Sequence, residues 1–274
     1  MKSNYRYIVK AFMAMAVIAG TTSCDDFLDR EPMSSISPET YYSTAAQLEA
    51  NLNDEYPNVL PSFGQWTYGI FGEDKGTDNQ IEVNANDRYT QDRWKVPHSE
   101  SDNWKFERIY RINFFLSEAL PKFGEDMSGS QNTISGSVAT IKHYIGEMYF
   151  LRAYEYFKKL QLFGDFPIIN QPLADEMEAL REASKRFPRN EVARFIISDL
   201  DKAYAYMSDV DMATTRINKD VAMLVKSRVA LFEATWLQNF KGTAFVPGGE
   251  GWPGASLHNN YQYPSGNLDN EVKY

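Results

Sequence analysis

The sequence predicts a mostly α-helical protein, and three observations carry that expectation. Five stretches place apolar residues at the three-to-four-residue spacing of a helix buried on a wide face. Almost nowhere does the apolar–polar alternation of a half-buried strand occur. The five stretches also have legible ends: Thr44, Asp102, Asn190 and Asn218 are suited to cap a first turn, while Gly164 and several prolines are suited to stop one. Helices with wide apolar faces must each pack on more than one neighbour, which implies a layered helical body.

The chain opens with Lys2, Arg6 and Lys10 ahead of the apolar run AFMAMAVIAG. That run is too short to span a bilayer, and residues 1–23 have the layout of a secretory signal peptide. Cys24, the only cysteine, follows immediately, so no internal disulfide is available. A cysteine preceded by Thr-Thr-Ser at the end of an apolar run resembles a lipobox, in which the cysteine is diacylated (palmitate-type chains) and becomes the first mature residue. Thr21 stands where leucine is usual, and the competing reading is an ordinary signal peptide with an incidental cysteine. Two acyl chains anchor a protein stably where one is marginal. Asp25, Asp26 and Asp29 form a short acidic stretch behind it.

Ser37-Pro38 opens a short helical turn, with proline where a first helical residue tolerates it. Thr44 and Gln47 form a capping-box pattern for a helix through Leu48, Leu52 and Tyr56, expected to stop at Pro57. Residues 61–101 keep no period and combine Gly, Asp and Asn with Trp66, Tyr68, Phe71, Tyr89 and Trp94. Loops of that length in a compact domain are usually functional. A helix capped by Asp102 follows, with Phe106, Ile109, Ile112, Leu116 and Leu120 inward as far as Pro121.

Residues 128–137 are a polar Ser/Gly hinge before the central helix, whose apolar surface covers more than half its circumference. Ile141, Ile145, Met148, Tyr156 and Phe163 share one sector and Phe150, Ala153, Phe157 and Leu160 the next. His143, Glu147, Lys158 and Gln161 form the polar strip, so His143 is expected to face solvent. Gly164 and Pro167 end the helix. After a patternless, mixed-charge stretch, Asn190 caps a helix with Val192, Ile196, Leu200, Ala203 and Met207 inward. Asn218 caps the last clear helix, with Val221, Leu224, Val225, Phe232 and Trp236 inward. Residues 240–274, with 6 Gly and 3 Pro in 35 residues, read as irregular.

Leu151-Arg152-Ala153 with Tyr154, Tyr156 and Phe157, then Leu162-Phe163-Gly164-Asp165 with Pro167 and Ile168, resembles the signature of the SusD/RagB family. WKFERIYRIN at residues 104–113, the Ile196, Asp199, Leu200, Ala203 pattern and the start CDDFLDREP resemble it too, in the same order, over roughly residues 24–236. The resemblance implies helix pairs stacked in the manner of tetratricopeptide units, joined by long irregular loops. It implies a surface-exposed, lipid-anchored outer-membrane lipoprotein that binds glycans or other nutrients and sits on a SusC-like TonB-dependent transporter. The acidic stretch after Cys24 is similar to surface-export signals of such lipoproteins. Family members continue for about as long again, which divides this chain into a signal peptide (1–23), an N-terminal helical domain (24–239) and the start of a missing C-terminal part (240–274).

Charge and motifs narrow the function further. Net charge is −9, and −12 once Lys2, Arg6 and Lys10 leave with the signal peptide, which argues against a nucleic-acid partner. No phosphate loop, nucleophile elbow or His-Glu-x-x-His occurs, the three histidines are scattered, and the loop around Asp74 and Asp78 lacks EF-hand spacing. The sequence therefore points to no catalytic residue, metal or cofactor. The leading expectation is a noncatalytic glycan- or nutrient-binding lipoprotein; the alternatives are a helical scaffold of the transporter without its own sugar site, and a secreted glycoside hydrolase.

Two sets of residues stand out. Asn113, Arg152, Asp199 and Arg228 each interrupt an apolar stripe, so Asp199 is expected to pair with Arg152 or Arg228 between helices in a structural role. Tyr89 and Trp94, in NDRYTQDRW, combine aromatic faces for sugar C–H surfaces with polar neighbours for sugar hydroxyls. The resemblance implies an aromatic platform with one member near here. The bland reading is that these rings pin the loop to the helices.

Overall fold

The computed structural model describes residues 41–61, 103–124, 126–208, 212 and 215–274. Cys24, Tyr89 and Trp94, with residues 1–23 and most of the loop 61–101, lie outside the described residues. Tyr42–Tyr274 form one compact unit. Its α-helices, among the described residues, are α1 (Ala45–Val59), α2 (Glu107–Phe123), α3 (Val138–Phe163), α4 (Met177–Ala183), α5 (Arg189–Tyr206), α6 (Lys219–Asn239) and α7 (Leu268–Glu271), with a 3-10 turn at Pro253–Ser256. Extended pairing is limited there to two isolated bridges, Thr44 with Ser135 and Phe166 with Phe187. None of these helices is long and apolar enough to cross a membrane. The protein is mostly helical, as the sequence predicts.

The central helix α3 is the axis of the unit: α1, α2 and α5 all pack against it. Seventeen of its 26 residues are buried, including every residue from His143 to Ala153, so along this stretch no side faces water. Ser137 caps its start by accepting from Thr140 N, and Gly164 ends it at φ 67°, a left-handed value that suits glycine. The helix directions follow from their bonds. Thr133 N donates to Lys122 O and Lys159 Nζ to Asn103 O, which sets α2 antiparallel to α3. Phe166 pairs with Phe187 at one end of α3 and α5, and Ser208 reaches His143 at the other, so α5 also runs antiparallel. Lys226–Asp201 and Arg189–Glu233 give α6 the same relation to α5. The successive antiparallel pairs α2/α3, α3/α5 and α5/α6 are the stacked-pair arrangement.

α3 and α5 approach closely at Gly146. A Cβ there would stand 2.8 Å from Met207 N and 2.9 Å from Ala203 O. Only a residue without a side chain allows that separation.

Several expectations about the elements are corrected. α1 and α2 run through Pro57 and Pro121 into Val59 and Phe123. In a last turn proline forfeits one backbone bond, and packing on α3 outweighs it. The expected polar strip of α3 is solvated only towards its C-terminal end, where Gln161 is exposed and Lys158 half-buried; His143 and Glu147 are buried, because α1 and Arg216 cover that side. α5 starts at Arg189, not after a cap at Asn190, and its first free N–H is satisfied by Asp165 Oδ1 at 2.9 Å. In α6 the buried residues are Ala222, Val229, Glu233 and Leu237, while Leu224 is 70% and Leu231 67% exposed. α6 packs mainly on α5, so one narrow stripe is covered. Its apolar residues are spread around two faces, and their number does not say which face packs.

Residues 240–274 lack long elements, yet they pack. Val246 and Trp252 are buried, and Tyr261 OH bonds Asn190 and Glu191 on α5. Glu271 accepts from Arg194 and Asn190.

Candidate functional site

Three of the polar residues singled out within apolar stripes meet at the middle of α3. Arg152 donates from Nε to Asp199 Oδ2 (2.6 Å) and from Nη2 to Asp199 Oδ1 (2.8 Å). Its Nη1 reaches Asn113 Oδ1 (2.9 Å) and Asn170 O (3.0 Å). Asn113 Nδ2 then donates to Ile169 O, which also accepts from Tyr156 OH. The Tyr149 and Phe195 rings lie 5.3 Å from the guanidinium carbon. Asn113, Arg152, Tyr156 and Asp199 are buried, and through Ile169 and Asn170 the group ties α2, α3, α5 and the segment after α3 together. Arg228 is not a member. It is exposed on α6, because the packed stripe of that helix runs through Val229 and Glu233.

A second buried group centres on Glu147. It accepts from Arg216 Nε (2.8 Å) and Nη2 (2.6 Å) and from Tyr56 OH (2.7 Å). His143 Nδ1 accepts from Ser208 N at 3.2 Å, so Nε2 carries the proton and faces Glu147 Oε1 and Ile217 O, each at 3.0 Å. Tyr56 OH in turn accepts from Ile217 N. Burial, joined by the nearby Glu147 charge, holds the Tyr56 phenol neutral well above its ordinary range. Every polar atom named here is matched, which is the signature of a structural cross-link, not of a reactive centre.

A concave surface lies elsewhere, beside the end of α3. It is lined by Leu162, Phe163, Gly164 and Asp165 from the end of α3, by Trp236 of α6, and by Phe245, Trp252 and Leu257 of the C-terminal segment, around about 460 Å³. Asp165 is fixed through both carboxylate oxygens: Oδ1 accepts from Arg189 N at 2.9 Å and Oδ2 from Trp252 Nε1 at 2.8 Å. Burial raises the Asp165 carboxyl above its ordinary 3.8, against these two bonds. The Arg189 guanidinium lies 4.1 Å from the Trp236 ring centroid and is held by Glu233, with Nη2 2.8 Å from Oε2. Arg186 lies over the Trp104 ring at 4.6 Å, at the edge of the same space. Phe245 is 61%, Leu162 57% and Leu257 54% exposed. The arrangement offers apolar faces, the Asp165 carboxylate, the Gln161 amide and the Arg186 and Arg189 guanidiniums, the last already held by Glu233, which is chemistry for binding an uncharged amphipathic ligand.

The sequence points to Asp165 only as part of the signature-like segment at residues 162–168, and to Trp236 as core. Trp104, the first residue of the family-like stretch at residues 104–113, packs edge-on against Phe106, Phe163 and Phe166. The missed signal is the aromatic density of an irregular segment, Phe245, Trp252 and Tyr261, the same criterion that singles out Tyr89 and Trp94.

Residues 26–231 match the SusD-like family model described as "Starch-binding associating with outer membrane". Two curated relatives from Formosa agariphila are both 25% identical. SusD-like protein P2 aligns over 253 residues, 88% of this chain and 46% of the relative; SusD-like protein P25 aligns over 233 residues, 78% of this chain and 41% of the relative. The chain thus spans under half the length of these relatives. Among solved structures, a SusD-like protein from Bacteroides fragilis aligns at 17% identity and TM-score 0.47, over 77% of this chain and 40% of its own. A SusD-like carbohydrate-binding protein from Bacteroides vulgatus aligns at 16% identity and TM-score 0.47, over 71% and 43%.

Proposed function

The chain belongs to the SusD-like family, and on that premise we propose that it is a noncatalytic, cell-surface lipoprotein that binds glycans and passes them to a TonB-dependent, SusC-like outer-membrane transporter. The observation that carries this is the family match over residues 26–231, starting two residues after the only cysteine. A family described as starch-binding and outer-membrane-associated needs an attachment to that membrane. Cys24, diacylated after removal of residues 1–23, supplies one of the required strength. Tyr89 and Trp94 are proposed as sugar-stacking residues. Nothing in the two buried polar groups offers a free nucleophile or an unpartnered acid–base pair, which favours binding over hydrolysis.

Isothermal titration of the full chain against a panel of neutral oligosaccharides tests the binding step. Micromolar to millimolar affinity without release of shorter products is expected; product release would turn the reading to a hydrolase. Trp94→Ala, with the fold intact by circular dichroism, is expected to weaken that affinity. Cys24→Ala is expected to move the protein out of the detergent-soluble membrane fraction, and retention there would refute the anchor. Co-purification of a transporter on the tagged chain from its native outer membrane tests the partner.

A further inference from the structure

Resting on the reading of the chain as a glycan-binding protein, we propose that the cleft beside Asp165 is a second sugar subsite, taking one neutral pyranose unit. It is distinct in sequence from the loop that carries Tyr89 and Trp94.

Three features of the cleft lead there. Phe245, Leu162 and Leu257, on three separate segments, turn large apolar side chains to solvent around one concavity. Isolated exposed apolar residues need no explanation, but a converging set does. The volume of about 460 Å³ falls within the ~300–1,000 Å³ of small-molecule sites. Gln161, Asp165, Arg186 and Arg189 bring polar groups among the apolar side chains, which matches a pyranose: its C–H face lies on aromatic rings while its hydroxyls turn to acceptors and donors.

Asp165 is prepared as that acceptor. Each carboxylate oxygen takes one protein hydrogen bond and retains capacity for another, so two adjacent hydroxyls can be received without rearrangement. Because Arg189 N and Trp252 Nε1 hold the carboxylate from opposite sides, ligand binding does not have to order it. Arg186 supplies the donor at the edge.

Charge selects a neutral sugar. The Arg189 cation is matched by Glu233 through Nε and Nη2, and Arg186 is the remaining cationic lining residue, near enough to act electrostatically on the Asp165 carboxylate. A uronic acid would bring its carboxylate towards Asp165 with no further cation to balance it. Glu233 does not line the cleft, so the space holds a single carboxylate and lacks the pair a glycosidase needs.

The test uses the full chain titrated with maltohexaose, laminarihexaose and xylohexaose, and with hexagalacturonate as the anionic comparison. Phe245→Ala removes one exposed wall, and Leu257→Trp fills the mouth from the opposite side; circular dichroism monitors the fold of each. The expected result is binding of at least one neutral hexasaccharide by the native chain, weakened about tenfold or more by each folded variant, a loss equal to about 1.4 kcal/mol. If the native chain binds a neutral hexasaccharide and both folded variants bind it equally well, the subsite is wrong and the functional reading survives. Preference for hexagalacturonate overturns the neutral assignment. Absence of binding to all four overturns the functional reading and the subsite with it.

Discussion

Arg152 and Asp199 meet in a two-pronged ion pair, with bonds of 2.6 and 2.8 Å, across the interface of α3 and α5. Both are buried, so the pair cannot be replaced by water when one partner is lost. Asp199→Ala leaves the guanidinium uncompensated and is expected to lower stability by about 3–5 kcal/mol. Asp199→Asn keeps one acceptor and should lose less. Urea unfolding followed by circular dichroism measures both, and a loss below ~1 kcal/mol for the alanine variant would contradict the account.

Gly146 has no room for a side chain against Met207 N and Ala203 O. In an isolated helix alanine is better than glycine by about 1 kcal/mol. Here the clash with backbone should reverse the sign, and Gly146→Ala is expected to cost about 1–3 kcal/mol. A higher urea midpoint for the variant would show that α3 and α5 can separate cheaply.

The two faces of α6 should respond differently. Leu224→Lys and Leu231→Lys alter exposed positions and are expected to change stability by less than about 0.5 kcal/mol. Leu237→Ala empties a buried position and is expected to cost about 2–5 kcal/mol. Thermal melts of the three variants decide whether the helix is oriented as described.

Asp165 gives a pH signature. Burial raises its carboxyl above the ordinary 3.8, so the native state holds the proton more tightly than the unfolded state. The corresponding stability is fully present below about pH 3.8 and is lost as pH rises through the native value. Asp165→Asn lacks this loss. Its stability relative to the native chain should therefore increase as pH rises above about 3.8; a constant difference, by urea midpoints at three pH values, would be inconsistent with the raised pKa.

The amino-acid sequence by itself determined the helical class, the capping box at Thr44, the stop at Gly164 and the inward faces of α2 and α5. These depend on periodicity and on residues within one turn of each other, where local geometry leaves few alternatives. It also marked Asn113, Arg152 and Asp199 as partners, because a polar residue in a covered stripe must find one. The tertiary structure alone decided what depends on neighbours distant in sequence. His143 and Glu147 look solvated on their own helix and are buried because α1 and Arg216 cover them. Val221 and Leu224 look like core and are exposed because α6 has one main neighbour. Arg228 falls outside the polar group for the same reason. The cleft draws Asp165, Trp236, Phe245 and Trp252 from separate segments, and no local pattern records that they share a space. Spacing specifies which residues share a face; only packing specifies what that face meets.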